Sequence, residues 1–248
     1  MNETIQSQLN HRTIRQFKQE KISEEMVSSL IDVARHTASS SFTQTFSLIR
    51  VTDIELKKKI AVICNQAYVA DVSELLIFVA DQYRNEQIAV EQGQETSVLQ
   101  NMDRFMVAMT NAVLASQNVT VAAESLGLGT VYLGSILNDS RQIIDLLELP
   151  EYTFPILGLG IGYPDQEPQL KPRLPQKFMC FENKYALPSP LIAELKDYDE
   201  VVSEYYDLRD TSRRVDSFTK QMASDMTKKP EKRLHILEEI KKQKLILE

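Results

Sequence analysis

Two guanidinium groups, an imidazole and a hydroxyl lie within five residues in His11-Arg12-Thr13-Ile14-Arg15-Gln16-Phe17. Arg presents a planar, permanently charged fork that suits a phosphate or an electron-rich heterocycle. On local grounds alone the cluster reads first as a solvated charge run. A second pair of cations stands far along the chain, in Leu170-Lys171-Pro172-Arg173-Leu174-Pro175. Pro172 holds Lys171 extended, so Lys171 and Arg173 are displayed at fixed separation on a stiff segment. By itself that segment is either half of a phosphate clamp or a basic surface loop. Six of the seven glycines fall between 127 and 162, where the backbone must be approached closely. Gly158-Leu159-Gly160-Ile161-Gly162 is not a dinucleotide fingerprint, because Pro164 follows and no helix opens to receive a pyrophosphate. It reads as a strand whose small residues admit a neighbouring element.

The elements that must position these groups follow from capping and periodicity. A short helix is expected over 4–9. Ser23 caps a second, with Met26, Val27, Leu30, Ile31 and Ala34 on one face, ending near Arg35 and His36. Residues 37–41 form a polar loop. Strands are expected at 46–51, 75–80, 130–133 and 154–161, with a helix over 54–64. From Met102 to Leu126 the apolar residues recur at helical spacing up to Gly127, a helix of ~35 Å at 1.5 Å per residue. Ala108, Ala112 and Ala115 give it a face that a neighbour can approach closely. A further helix starts at Asp139 or Ser140 and runs to Leu147. Strands and helices without regular βαβ repetition favour an α+β fold. The chain reads as a single domain over 1–248, in which 163–248, broken by Pro164, Pro168, Pro172 and Pro175, is an extended C-terminal excursion wrapping the core or a partner.

Composition limits the function. The 248 residues are 43% hydrophobic, enough for a sizeable core. A net charge of −7 argues against nucleic-acid or anionic-membrane partners. The polar opening Met1-Asn2-Glu3-Thr4 does not read as a secretory signal, and runs such as 75–80 are too short for a membrane span. Two cysteines and three scattered histidines supply neither a disulfide scaffold nor a metal site, and a reducing cytoplasm is expected. Neither paired carboxylates with acid–base spacing nor a nucleophile elbow is present, which fits chemistry carried by a cofactor.

Six segments, in order, resemble one known pattern. They are His11-Arg12-x-x-Arg15-x-Phe17, Ser39-Ser40-Ser41, Gln66-Ala67-Tyr68, Ala122-Ala123-Glu124-Ser125-Leu126-Gly127-Leu128-Gly129, Tyr132-Leu133-Gly134 and Lys171-Pro172-Arg173-Leu174-Pro175. Together they resemble the nitroreductase family of FMN flavoproteins, in the branch of oxygen-insensitive NADPH nitroreductases and NADPH–flavin oxidoreductases. The resemblance implies a mostly antiparallel central sheet flanked by helices and an interlocked homodimer with FMN at the interface. It implies that Arg12, Thr13, Lys171 and Arg173 hold the FMN phosphate, while His11 lines the same stretch. Arg15 would face the pyrimidine edge of the ring, ~10 Å along extended chain, with Gln66 and Tyr68 beside it. Tyr132 belongs to the same cofactor set, and the backbone at Gly134 and Ser135 would approach the flavin N5. Ser39, Ser40 and Ser41 would contact the partner subunit's FMN. Ser135 stands where many relatives have glycine and Asn111 where aspartate is common, departures that bear on the N5 contact and on interface hydrogen bonds.

Tyr205-Tyr206-Asp207-Leu208-Arg209-Asp210-Thr211-Ser212-Arg213-Arg214 resembles the segment that binds the 2′-phosphate of NADPH, through Arg209, Arg213 and Arg214; a charged surface helix is the other reading. The implied activity is two-electron ping-pong hydride transfer from NADPH to small flat aromatic acceptors such as nitroaromatics, quinones or flavins. Two alternatives stay open: a flavin reductase that releases reduced flavin, and a non-catalytic flavin-binding module. A cofactor-free helical interaction protein is a further class.

Overall fold

The computed structural model describes residues 2–205 and 217–247. Its backbone contacts divide it into two units, Met1–Gln166 with Glu231–Glu248, and Glu167–Pro230.

The first unit is built on a four-stranded antiparallel sheet of order β1-β2-β4-β3, with β1 Phe46–Val51, β2 Glu74–Asp81, β3 Gly129–Leu133 and β4 Thr153–Gly162. All eight residues of β2 are buried. The strand is apolar on both faces because both faces are covered. Leu75, Ile77 and Val79 point to one side, joining Ile60, Val69, Leu133 and Ile143. Leu76 and Phe78 point to the other, joining Leu30, Ala112, Ala115, Val119, Leu159 and Ile161. The ladder slips between Phe78 and Val79, opposite Pro155, which has no N–H to give.

Helix starts follow the caps. Asn2, Ser23, Asp53, Asn101 and Asp139 each accept a backbone N–H three residues on, opening α1 (Glu3–Leu9), α2 (Glu24–Arg35), α3 (Ile54–Cys64), α5 (Met102–Ser125) and α6 (Ser140–Leu146). Between them α4 (Tyr83–Glu91) has neither a side-chain cap nor a buried residue. By length and hydropathy α5 matches a membrane span. Its Ala108, Ala112, Ala115, Val119 and Ala123 are, however, fully buried in the core, where their small size lets α2 and the sheet come close. Gly127, at φ +77°, turns the chain from α5 into β3.

The last residues return to this unit. In and after α10 (Ile236–Lys242), Ile240, Leu245 and Ile246 are buried with Phe105, Ile144 and Phe154. The Gln243 amide donates to the carbonyls of Pro150 and Thr153 at 2.8 and 3.0 Å. The second unit contains α7 (Leu191–Glu194), α8 (Lys196–Glu204) and α9 (Phe218–Asp225). There the Tyr198 and Phe218 rings meet edge to face at 5.3 Å, and Asp199 accepts from the Thr219 N–H at 2.9 Å.

Lys57 is a buried cation in this frame. Its ammonium donates to the carbonyls of Val72 and Ser73 at 2.9 and 2.8 Å, tying α3 to the stretch that leads from Gln66 into β2. Burial lowers its pKa from the ordinary 10.5. Lys57→Met, which leaves two carbonyls unpaired, is expected to cost about 2–3 kcal/mol in urea unfolding. Because the folded pKa is the lower one, the unfolded chain binds the extra proton. The stability contributed by this group therefore rises with pH through the window that ends at 10.5, and it is lost as pH falls through the folded value. The gap between wild type and variant should widen towards the alkaline side. A gap that narrows there would rule out the buried-ammonium assignment.

Candidate functional site

The His11–Phe17 segment is pinned across one end of the sheet. The Ile14 N–H donates to the Thr130 carbonyl at 2.9 Å, and Thr13 bridges Thr130 at the start of β3. Phe17 bridges Pro164 just past β4, where the Lys18 N–H donates to Tyr163 at 2.9 Å. Gly129 and Gly162 are paired partners at that end of the ladder. Here the glycines are required by close approach. A Cβ on Gly129 would lie 2.6 Å from Ile14 Cγ1, and one on Gly162 would lie 2.8 Å from Phe17 Cδ1. The expected small-residue strand is observed, and two of the elements it admits are the apolar side chains of the charged segment itself.

Ile14 and Phe17 are buried, and Arg12 and Arg15 on the same segment are half-buried. The Nε atoms of both are fully buried, with no hydrogen-bond partner among the described residues. An unpaired buried donor costs about 1–3 kcal/mol, more when charged. Two on one pinned segment make a site that an anionic or electron-rich ligand would stabilise. His11 is differently placed. Its Nδ1 donates to Glu124 Oε1 at 2.6 Å, and the Thr130 hydroxyl donates to the same oxygen at 2.8 Å. Glu124 on α5 thus holds both the cluster and β3. Its functional weight was not visible in the sequence, although it falls inside one of the matched segments.

At the other end of β3 the chain turns at Gly134. A Cβ built there meets no atom within 4 Å, so this backbone is open to close approach. The Ser135 hydroxyl donates to Gln66 Oε1 at 2.8 Å. That contact orients the Gln66 amide and leaves its Nε2 as a donor. Cys64 touches the same hydroxyl, and burial pushes its thiol pKa up. Ser135 therefore binds Gln66 and Gly134 into one corner, a consequence of the serine that a second glycine would lack. The Tyr132 hydroxyl is engaged by α5, donating to Gln117 at 2.9 Å and lying 2.7 Å from Thr120 Oγ1; burial raises its pKa. Tyr68 is half-buried and packs against the core beside Val69.

Ser39, Ser40 and Ser41 lead into a turn in which Ser41, Phe42 and Gln44 all adopt left-handed φ, from 48° to 58°. Such backbone costs about 1–3 kcal/mol per residue and collects at functional sites. Beneath it, Asn111 on α5 accepts from the Ser40 N–H at 3.4 Å and donates to Thr45 Oγ1 at 2.8 Å. Asn111 is thus a buried support of the serine loop. Phe42, at the tip, is 84% exposed.

Lys171 and Arg173 lie in the second unit on a stretch without regular secondary structure, where the Tyr198 hydroxyl is 3.5 Å from the Pro172 carbonyl. Arg209, Arg213 and Arg214 lie outside the described residues.

The α+β sheet thus carries a pinned segment suited to an anionic or electron-rich ligand at one end of β3 and a glycine corner open to close approach at the other. The chain belongs to the nitroreductase family: residues 9–163 match the Nitroreductase family and residues 171–248 its C-terminal domain. It is 36% identical over 233 residues to the FMN reductase (NADPH) of Bacillus subtilis, covering 93% of this chain and 94% of that one. Its fold is similar to that of the NfrA1 nitroreductase of B. subtilis, at TM-score 0.91 and 35% identity with 98% of each chain covered. It is likewise similar to the NADPH:FMN oxidoreductase of Vibrio harveyi solved in complex with NAD+, at TM-score 0.88 and 31% identity with 98% of each chain covered.

Proposed function

We propose that this chain is an NADPH-dependent flavin oxidoreductase that holds FMN with Arg12, Thr13, Lys171 and Arg173 at its phosphate and with Arg15, Gln66, Gly134 and Ser135 around its ring. His11, Tyr68 and Tyr132 complete the lining, and Ser39, Ser40 and Ser41 serve the cofactor of a second copy in a homodimer. The observation that carries the reading is the pair of orphaned, buried guanidinium donors on Arg12 and Arg15. FMN offers both counterparts, a phosphate for one and the electron-rich edge of the ring for the other. When bound, FMN supplies the ring that takes two electrons from NADPH and passes them to a flat acceptor.

The residues of the chain bind, orient and stabilise charge. Arg15 places a positive charge where the reduced ring gains electrons. Gln66, its oxygen held by Ser135, presents Nε2 to a ring acceptor. Arg209, Arg213 and Arg214 take the 2′-phosphate of NADPH. The acceptors are nitroaromatics, quinones or flavins, and the enzyme works in the cytoplasm. Free flavin as the natural acceptor is the second reading, favoured by the similarity to proteins named FMN reductase and NADPH:FMN oxidoreductase. Steady-state rates with free FMN and with a nitrofuran separate the two.

The test of the main reading is the visible spectrum of the purified protein, then anaerobic addition of NADPH and of NADH. A flavin spectrum bleached faster by NADPH is expected. A colourless protein that takes up no FMN would end the reading, and a coloured one that NADPH leaves oxidised would make it a flavin-binding module.

A further inference from the structure

Arg233 lies outside every site expected from the sequence, in the segment that returns to the first unit before α10. Its Nη2 donates to the Gly134 carbonyl at 3.0 Å. Nη2 and Nε also lie 3.3 and 3.4 Å from Asn138 Oδ1. Asn138 in turn directs its amide to the carbonyls of Ile63 and Cys64, at 3.3 and 3.5 Å. One set of contacts thus runs from the end of α3, next to Gln66, through Asn138 and Arg233 to Gly134.

The peptide joining Gly134 to Ser135 is planar and trans, so its C=O and N–H point in opposite directions. Fixing the carbonyl on Arg233 fixes the direction of the Ser135 N–H. A cation on the carbonyl oxygen also polarises the whole unit and strengthens that N–H as a donor. The side chains of this corner cannot supply the same control: the Ser135 hydroxyl holds Gln66, and Gly134 has no side chain.

We propose that Arg233 is a positioning residue for the reaction, orienting and polarising the Gly134–Ser135 peptide so that the Ser135 N–H is aimed at the flavin N5. This rests on the FMN reading above. The cation never touches the reacting atoms; it acts through one peptide group. The C-terminal segment thereby becomes part of the flavin corner as well as of the core.

Arg233→Ala and Arg233→Lys test the role in the flavin-loaded protein, with a spectroscopic check in its flavin-free form. In Arg233→Ala the limiting rate of anaerobic flavin reduction should fall about tenfold, the lower end of the loss expected of one charge-assisted hydrogen bond. The NADPH concentration giving half that rate should stay within twofold of wild type. Arg233→Lys, which keeps one charged donor, should recover part of the rate. In flavin-free protein the Ser135 amide proton should move upfield in Arg233→Ala and return towards its original position in Arg233→Lys. A weakened NADPH dependence with an unchanged limiting rate would make Arg233 a substrate contact and overturn the proposal. So would lower stability with an unmoved Ser135 amide, the mark of a simple tether. A wild-type protein that binds no flavin fails the FMN reading itself, whereas a flavin-bound wild type with unaffected variants fails only Arg233.

Discussion

Replacing Arg15 by methionine should leave the flavin-free protein at least as stable as wild type while slowing flavin reduction about a hundredfold. The two halves of this result have one cause. The Arg15 Nε is buried without a partner among the described residues, so the unliganded fold bears its desolvation. Methionine keeps the apolar stem and removes that cost, about 1–3 kcal/mol. In the proposed FMN complex the balance reverses, because a cation set at the edge of the ring is worth most where negative charge develops. Losing one such preorganised donor costs on the order of a hundredfold in rate. FMN should still bind, since Arg12 and Thr13, the proposed phosphate donors, remain on a segment held by Ile14 and Phe17. Urea unfolding of the flavin-free protein and anaerobic stopped-flow reduction check the two halves separately. A destabilised protein that is reduced at the wild-type rate would make Arg15 a structural cation.

Legibility in the sequence followed the range of the interaction. The Ser23 cap, the Ala108–Ala112–Ala115 face and the Gly127 stop are written in neighbouring residues, and α2 and α5 fall where these place them. The apolar run of β2 announced burial on both faces, and the odd and even residues do divide between two cores. What could not be read locally was helix α4, which has no apolar stripe and no side-chain cap. The C-terminal excursion was expected to wrap the core or a partner, but the residues that bring its end into the core, Ile240, Leu245 and Ile246, could not be singled out, because they sit among charges. The candidate site shows the same division. The residue types at 11–17 and the close-approach glycines were evident, but the pairing of Ile14 with Gly129 and of Phe17 with Gly162 has no local signal. The clamp of Glu124 on His11 and the reach of Arg233 to Gly134 join residues about a hundred positions apart, where spacing carries no information. The nitroreductase resemblance supplied roles for individual residues; the reason the cluster is rigid came from packing.

That rigidity can be broken by a single methyl group. In Gly129→Ala the new Cβ would stand 2.6 Å from Ile14 Cγ1 and 2.8 Å from Ile14 Cβ. A rotamer change can move Cγ1, but Cβ moves only with the backbone, and the Ile14 backbone is bonded to Thr130 beside the substitution. The segment must lift from β3, taking Thr13 and Arg15 with it. Overpacking of this kind costs about 1–3 kcal/mol. FMN affinity should fall by more than tenfold, because both Thr13 and Arg15 leave their places. Ile14→Ala alone opens a cavity and also destabilises, by about 2–4 kcal/mol. Combined with Gly129→Ala, however, it removes two of the three crowding atoms, Cγ1 at 2.6 Å and Cγ2 at 3.0 Å, and leaves only Cβ, so the double variant should recover part of the FMN affinity lost in Gly129→Ala and show a favourable coupling in unfolding. Gly160→Ala is the control: its Cβ would press on Val72 Cγ1 at 2.8 Å, away from the segment. It should lose comparable stability and keep its flavin. Equal loss of flavin from both glycine variants, or additive behaviour of Gly129→Ala with Ile14→Ala, would mean that the sheet as a whole, and not the Ile14 contact, sets the position of the two arginines.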